Sequence, residues 1–124
     1  MEKDDTMRFR EPIEFQDIIK IVKENVDEGV SYCIYSKISD SNYLKLDTIC
    51  YIDDYPEITD EDEEIFSEFA VHNSLDLLFR EELVQDVVHN VLRQKAAATD
   101  EEILKAILYY DDKDDFMDFK VSGK

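Results

Sequence analysis

Apolar residues recur at Phe15, Ile18, Ile19, Val22 and Val26, three and four positions apart, which sets them along one face of a helix. Pro12 stands where a helix can open and Gly29 where one can stop, so the first predicted helix lies between them. Past Gly29 the pattern changes. The runs VSYCIYSK (30–37) and YLKLDTICYI (43–52) are rich in β-branched and aromatic residues, and the turn-forming SDSN lies between them. Together they predict a β-hairpin. Phe66, Phe69 and Ala70 begin a short helical pattern that Asn73 and Ser74 interrupt and that Leu75 to Phe79 resumes. From Glu82 to Lys95 the stripe Leu83, Val84, Val87, Val88, Val91 and Leu92 opposes Glu82, Asp86, His89 and Arg93, the pattern of a packed helix. Thr99 and Glu102 are spaced as a capping box, and Ile103, Leu104, Ile107, Leu108 and Tyr110 form the apolar face of a last helix. Phe116, Met117 and Phe119 can dock onto the core, while residues 1–11 read as a polar lead and 120–124 as a frayed end. Helices bracketing a hairpin predict one α+β domain over residues 1–124, a small antiparallel sheet packed with about four helices.

Charge changes the picture. The chain carries 32 acidic against 14 basic residues, a formal net charge of −18, which costs stability through self-repulsion. Such a field disfavours nucleic acid and anionic lipid as partners and speeds encounter with a basic protein. The segment DDYPEITDEDEE (53–64) holds eight acids, no base and a proline, and is expected to be a solvated loop that cannot enter a core. A second acidic stretch, DDKDD, occupies 111–115. Tyr55, Tyr109 and Tyr110 lie beside these stretches, and aromatic anchors ringed by charge are the ingredients of a protein interface. Tyr110 suits a packed ring with a wet hydroxyl. The expected partner-binding residues are therefore Asp53, Asp54, Tyr55, Glu57, Asp60, Glu61, Asp62, Glu63 and Glu64 in the first segment. In the second they are Tyr109, Asp111, Asp112, Asp114 and Asp115.

Catalytic chemistry finds little support in the sequence. With two glycines in the chain there is no glycine-rich loop for a phosphate and no dinucleotide fingerprint, so no cofactor is expected. His72 and His89 belong to no HExxH pair and neighbour no Cys or Ser nucleophile. Cys33 and Cys50 could meet diagonally across the hairpin if its register is near symmetric, though buried packing is the simpler role for a free cysteine. The acidic segment lacks the central glycine of an EF-hand loop, and no metal is expected. The expectation is a binding protein, not an enzyme. The amino terminus has no apolar stretch behind its charges, and no run is long enough to span a membrane.

The blocks LKLDTICYIDD (44–54), EFAVHNSLDLLF (68–79) and LVQDVVHNVLRQKAAATDEEILKAILYYDDKDDF (83–116) stand in this order. In particular VQDVV, RQKAAAT and LYYDDKDDF resemble a domain found among the small acidic immunity proteins of contact-dependent growth inhibition and other polymorphic toxin systems. The chain departs from that pattern at Ser74, where a glycine would follow the asparagine. The resemblance implies a protein kept in the bacterial cytoplasm that blocks the carboxy-terminal toxin domain delivered by a sister cell, commonly a nuclease and hence basic. It carries over no contact residues. The competing class is a nucleic-acid mimic acting on a host restriction or regulatory protein. A mimic needs carboxylates spaced along an elongated surface like phosphates, whereas here they gather in two segments.

Overall fold

The computed structural model describes residues 9–24, 30–38 and 40–117. In chain order these form β1 (Ile13–Glu14), α1 (Phe15–Lys23), β2 (Cys33–Ser36), a 3-10 turn (Ser41–Tyr43) and β3 (Ile49–Asp53). Then come β4 (Glu57–Ile58), β5 (Glu64–Ile65), α2 (Glu68–His72), β6 (Asp76–Arg80), α3 (Glu81–Gln94) and α4 (Asp100–Lys113). A four-stranded antiparallel sheet has the order β1-β3-β2-β6, and β4 and β5 pair in a small sheet of their own. The fold is α+β.

The expected hairpin is present as β2 and β3, paired Cys33 with Asp53 through Ser36 with Cys50. Side chains alternate across a strand, and all four residues of β2 are buried, so this strand is covered on both faces. Ile34, Cys50, Ile52 and Phe79 join the main core with Phe15, Ile18, Val22, Val84, Val88, Ile103 and Ile107 from α1, α3 and α4. On the opposite face Cys33, Tyr35 and Ala70 form a second cluster with Tyr55, Phe66, Leu75 and Leu77 packed against it. Cys33 and Cys50 therefore lie on opposite faces of the sheet and do not meet. Ser36, not Cys33, is the register partner of Cys50.

Two expectations are corrected. The first helix ends at Lys23 with Glu24 as its cap, and Val26 and Gly29 lie outside the described residues, as does Phe119. The pattern from Leu75 to Phe79 is not a resumed helix but strand β6, which pairs with β2 and carries Leu78 as a bulge between Leu77 and Phe79. Periods 2 and 3.6 cannot be told apart over so short an apolar run. The polar lead is anchored at its end: Phe9 forms a parallel bridge with Ile52, and the Arg10 amide donates to the Ile52 carbonyl at 2.8 Å.

Helix ends are met in different ways. At α4 the Thr99 hydroxyl accepts from the Glu102 amide at 3.1 Å and the Glu102 carboxylate accepts from the Thr99 amide at 2.9 Å, the expected capping box. At α1 no side chain caps the helix, and the amides of Phe15 and Gln16 donate to the carbonyls of Thr48 and Leu46 at 3.0 and 2.8 Å. The loop before β3 thereby satisfies donors that a helix leaves free. At the end of α2, Ser74 has φ 56°, the Ser74 amide donates to Val71 and the Leu75 amide to Ala70. This is the Schellman arrangement, which favours glycine at that position.

Candidate functional site

Asp53 opens the first acidic segment, yet its side chain is fully buried at the end of β3. Arg10 Nε and the Asp54 amide both donate to Asp53 Oδ1 at 2.8 Å, and the Ser67 hydroxyl donates to Oδ2. Burial pushes the carboxyl up, but the bonds from Ser67, Arg10 and the Asp54 amide outweigh it and hold Asp53 below the ordinary carboxylate value. Asp53 is thus a structural hub and not a contact residue, because an acid that fastens the chain cannot reach a partner. Its neighbour Asp54 is exposed, 3.7 Å from Arg10 Nη2.

The rest of the segment is not the expected unstructured loop. Pro56 is buried, Glu57 and Ile58 pair with Ile65 and Glu64, and the turn between them is closed by Thr59. Its hydroxyl accepts from the amides of Glu61 and Glu63 at 3.2 and 3.1 Å, and Asp62 takes the left-handed conformation with φ 65°. Side-chain bonds of this kind let a threonine shape a turn without glycine. The turn holds Glu57, Asp60, Glu61, Asp62 and Glu63 in solvent, and none of them pairs with a described base. Glu64 pairs with Arg80 at 3.3 Å.

An aromatic layer fastens this hairpin to the sheet. Tyr35 meets Phe66 edge-on at 6.2 Å between ring centroids, and Tyr51 meets Phe69 at 5.7 Å. The Arg80 guanidinium lies 5.4 Å over the Tyr55 ring and that of Arg10 lies 5.9 Å over Phe69, a favourable stacking of cation on ring. The Tyr55 hydroxyl donates to the buried Glu81 carboxylate, which also accepts from the Tyr32 amide at 3.2 Å. Burial, then the bond to Glu81, pushes the Tyr55 hydroxyl's pKa up. Tyr55 is accordingly half-buried scaffold, not the free aromatic anchor expected of it.

The second segment lies at the carboxy-terminal end of α4. Asp111, Asp112, Asp114 and Asp115 are exposed, and Tyr109 is 38% exposed. Tyr110 packs on Phe116 at 4.9 Å and against the core, in keeping with the packed ring expected of it in place of an interface anchor. Ser41 donates to Asp111 at 2.9 Å, and Asp114 caps the helix with φ 58°. Asp111 and Asp112 stand in the last turn of α4, where the helix dipole is itself negative and acids are unfavourable.

Both segments reach β6. Beside that strand runs a groove of about 390 Å³ that takes in Leu78, Arg80, Glu82, Leu83, Tyr110 and Asp111, while Arg80 also holds Glu64 of the hairpin. Glu82 and Asp86, exposed on α3, join this acidic border. They were legible as the polar face of a helix, but only the packing of α3 against β6 makes them part of the site.

A family model described as "Domain of unknown function (DUF7716)" matches residues 10–119. The chain belongs to this family. The matched span begins at Arg10, the partner of buried Asp53, and takes in the acidic hairpin, β6 and the end of α4. No curated protein and no solved structure matches the chain.

Burial pushes the thiols of Cys33 and Cys50 up to about 11 and about 12, which keeps them protonated and unreactive near neutral pH. His72 and His89 are exposed on α2 and α3. Among the described residues no cluster of three or more His, Cys, Asp and Glu side chains could hold a metal ion. No helix among them is long and apolar enough to cross a membrane.

Proposed function

We propose that this protein is an immunity protein that binds a basic toxin domain, a nuclease by preference, and denies it its substrate. The reading is supported above all by the exposed acids of the β4–β5 hairpin and of the end of α4. Glu57 and Asp60 to Glu63 are held out on a shaped hairpin without partners among the described bases, and Asp111 and Asp112 stand where the helix dipole makes them costly. Residues that cost stability where they stand are candidates for function. A nuclease must present Lys and Arg to a polyanion, so an acidic surface that fills its groove competes with nucleic acid directly and is drawn to it at a high rate. On this reading the chain does no chemistry of its own and stays in the bacterial cytoplasm, where the incoming toxin must be met.

The test is capture of the partner from the source bacterium on immobilised protein at moderate salt, followed by an activity assay. The expected catch is the carboxy-terminal fragment of one large secreted protein whose nuclease activity falls to zero at one equivalent. Recovery of a restriction or regulatory complex in its place overturns the immunity reading in favour of mimicry. With the partner in hand, reversing the charges from Asp60 to Glu64 is expected to slow association about tenfold at low salt with little change in dissociation. Association rates that ignore both the variant and the salt would remove the hairpin from the interface.

A further inference from the structure

We infer that β6 is a strand-addition edge that receives an extended, basic segment of the neutralised protein. The inference rests on the reading of the chain as a neutralising partner and names where contact is made. β6 is the last strand in the order β1-β3-β2-β6 and is laddered to β2 alone among the described residues. Its outer side therefore presents backbone donors and acceptors that another extended chain can pair with. β1, at the other edge, is two residues long, too short to template much.

The groove beside β6 adds side-chain preference to that backbone template. Leu78, Leu83 and Tyr110 are half-buried there and pack against the main core, so they offer an apolar floor. Glu82, Asp86 and Asp111 are exposed along its border. Successive side chains of an added strand point to opposite sides. A segment alternating apolar and basic residues would set the first kind on the floor and the second against the three carboxylates.

Charge selects the occupant. A second copy of this chain would bring another net charge of −18 to the same edge, and the acids bordering β6 would face their own kind. The bulge at Leu78 interrupts the ladder for any added strand alike, so charge and not backbone geometry separates the occupants. A cationic segment meets attraction where a second copy meets repulsion.

The experiment uses the whole protein and a short synthetic peptide alternating valine and lysine, with a twin N-methylated at every second amide so that it cannot complete a ladder. Amide hydrogen exchange is followed with each. The peptide is expected to slow exchange within Asp76–Arg80 by about tenfold at low salt, and its methylated twin to leave those amides unchanged. Asp86→Lys combined with Asp111→Lys is expected to weaken peptide binding about tenfold. Equal protection by both peptides, or protection confined to another segment, overturns the inference. So does protection of β6 that rises with protein concentration alone, which would mark a second copy as the occupant. Repeated with a captured toxin, full inhibition with β6 unprotected sinks strand addition and spares the neutralisation reading. Ladder pairing by the peptide, with no toxin captured from the source bacterium, sinks the neutralisation reading and spares the edge.

Discussion

Asp53 and Asp60 are seven positions apart in one acidic run; the first is wholly buried with three donors on its carboxylate, and the second is exposed on a turn. Asp53→Asn removes the charge that Arg10, Ser67 and the Asp54 amide converge on, and is expected to cost about 2 kcal/mol in urea unfolding. Asp60→Asn should change stability by less than about 0.5 kcal/mol. Because the folded carboxyl titrates below its ordinary value of 3.8, its contribution is present above that pH and is lost as the pH falls through the lower folded value. Acid titration of stability should accordingly flatten in Asp53→Asn below the ordinary carboxylate range. At Ser74, with φ 56° in a Schellman turn, glycine removes the clash of a side chain in the left-handed region. Ser74→Gly is expected to raise stability by about 0.5–1 kcal/mol in the same assay, and a loss would mean that the serine side chain contributes more than its backbone strain costs.

Among the elements, α3 and α4 are the ones whose apolar stripes and cap could be read directly from spacing, because a helix of 14 residues repeats its period several times. Thr99→Ala removes half of the capping box and is expected to lower stability by about 1 kcal/mol, with helical circular dichroism at low temperature unchanged. β6 was not legible, since its run from Leu75 to Phe79 reads equally as helix until β2 is placed beside it. The acidic hairpin β4 and β5 was hidden for a different reason: eight acids mask two short strands that are flanked by Tyr55 and Phe66, packed on the sheet, and tied to Arg80 through Glu64. Its turn is built on Thr59 hydroxyl bonds, a signal that charge counting overlooks.

At the scale of the whole molecule, a net charge of −18 makes repulsion a steady opponent of the fold. Salt screens it over about 8–10 Å near physiological strength. The melting temperature is expected to rise as sodium chloride goes from low to physiological concentration, opposite to the trend for a protein held by surface ion pairs. A melting temperature that falls over that range would mean that pairs such as Lys95 with Glu102, 2.6 Å apart, outweigh the repulsion.

The sequence by itself determined the α+β class, the helices α1, α3 and α4 with the cap at Thr99, the β2–β3 hairpin and the excess of acid. These follow from local periodicity and composition, which neighbouring residues carry without help from distant ones. Only the tertiary structure decided which acids are free. Asp53 was withdrawn into a network with Arg10 and Ser67, 43 and 14 positions away, and Tyr55 was tied to Glu81, 26 positions on. It also brought Glu82, Asp86, Asp111 and Glu64 around one strand edge. Burial and juxtaposition of that kind depend on how the sheet is ordered and which face each helix covers, and no local pattern encodes either.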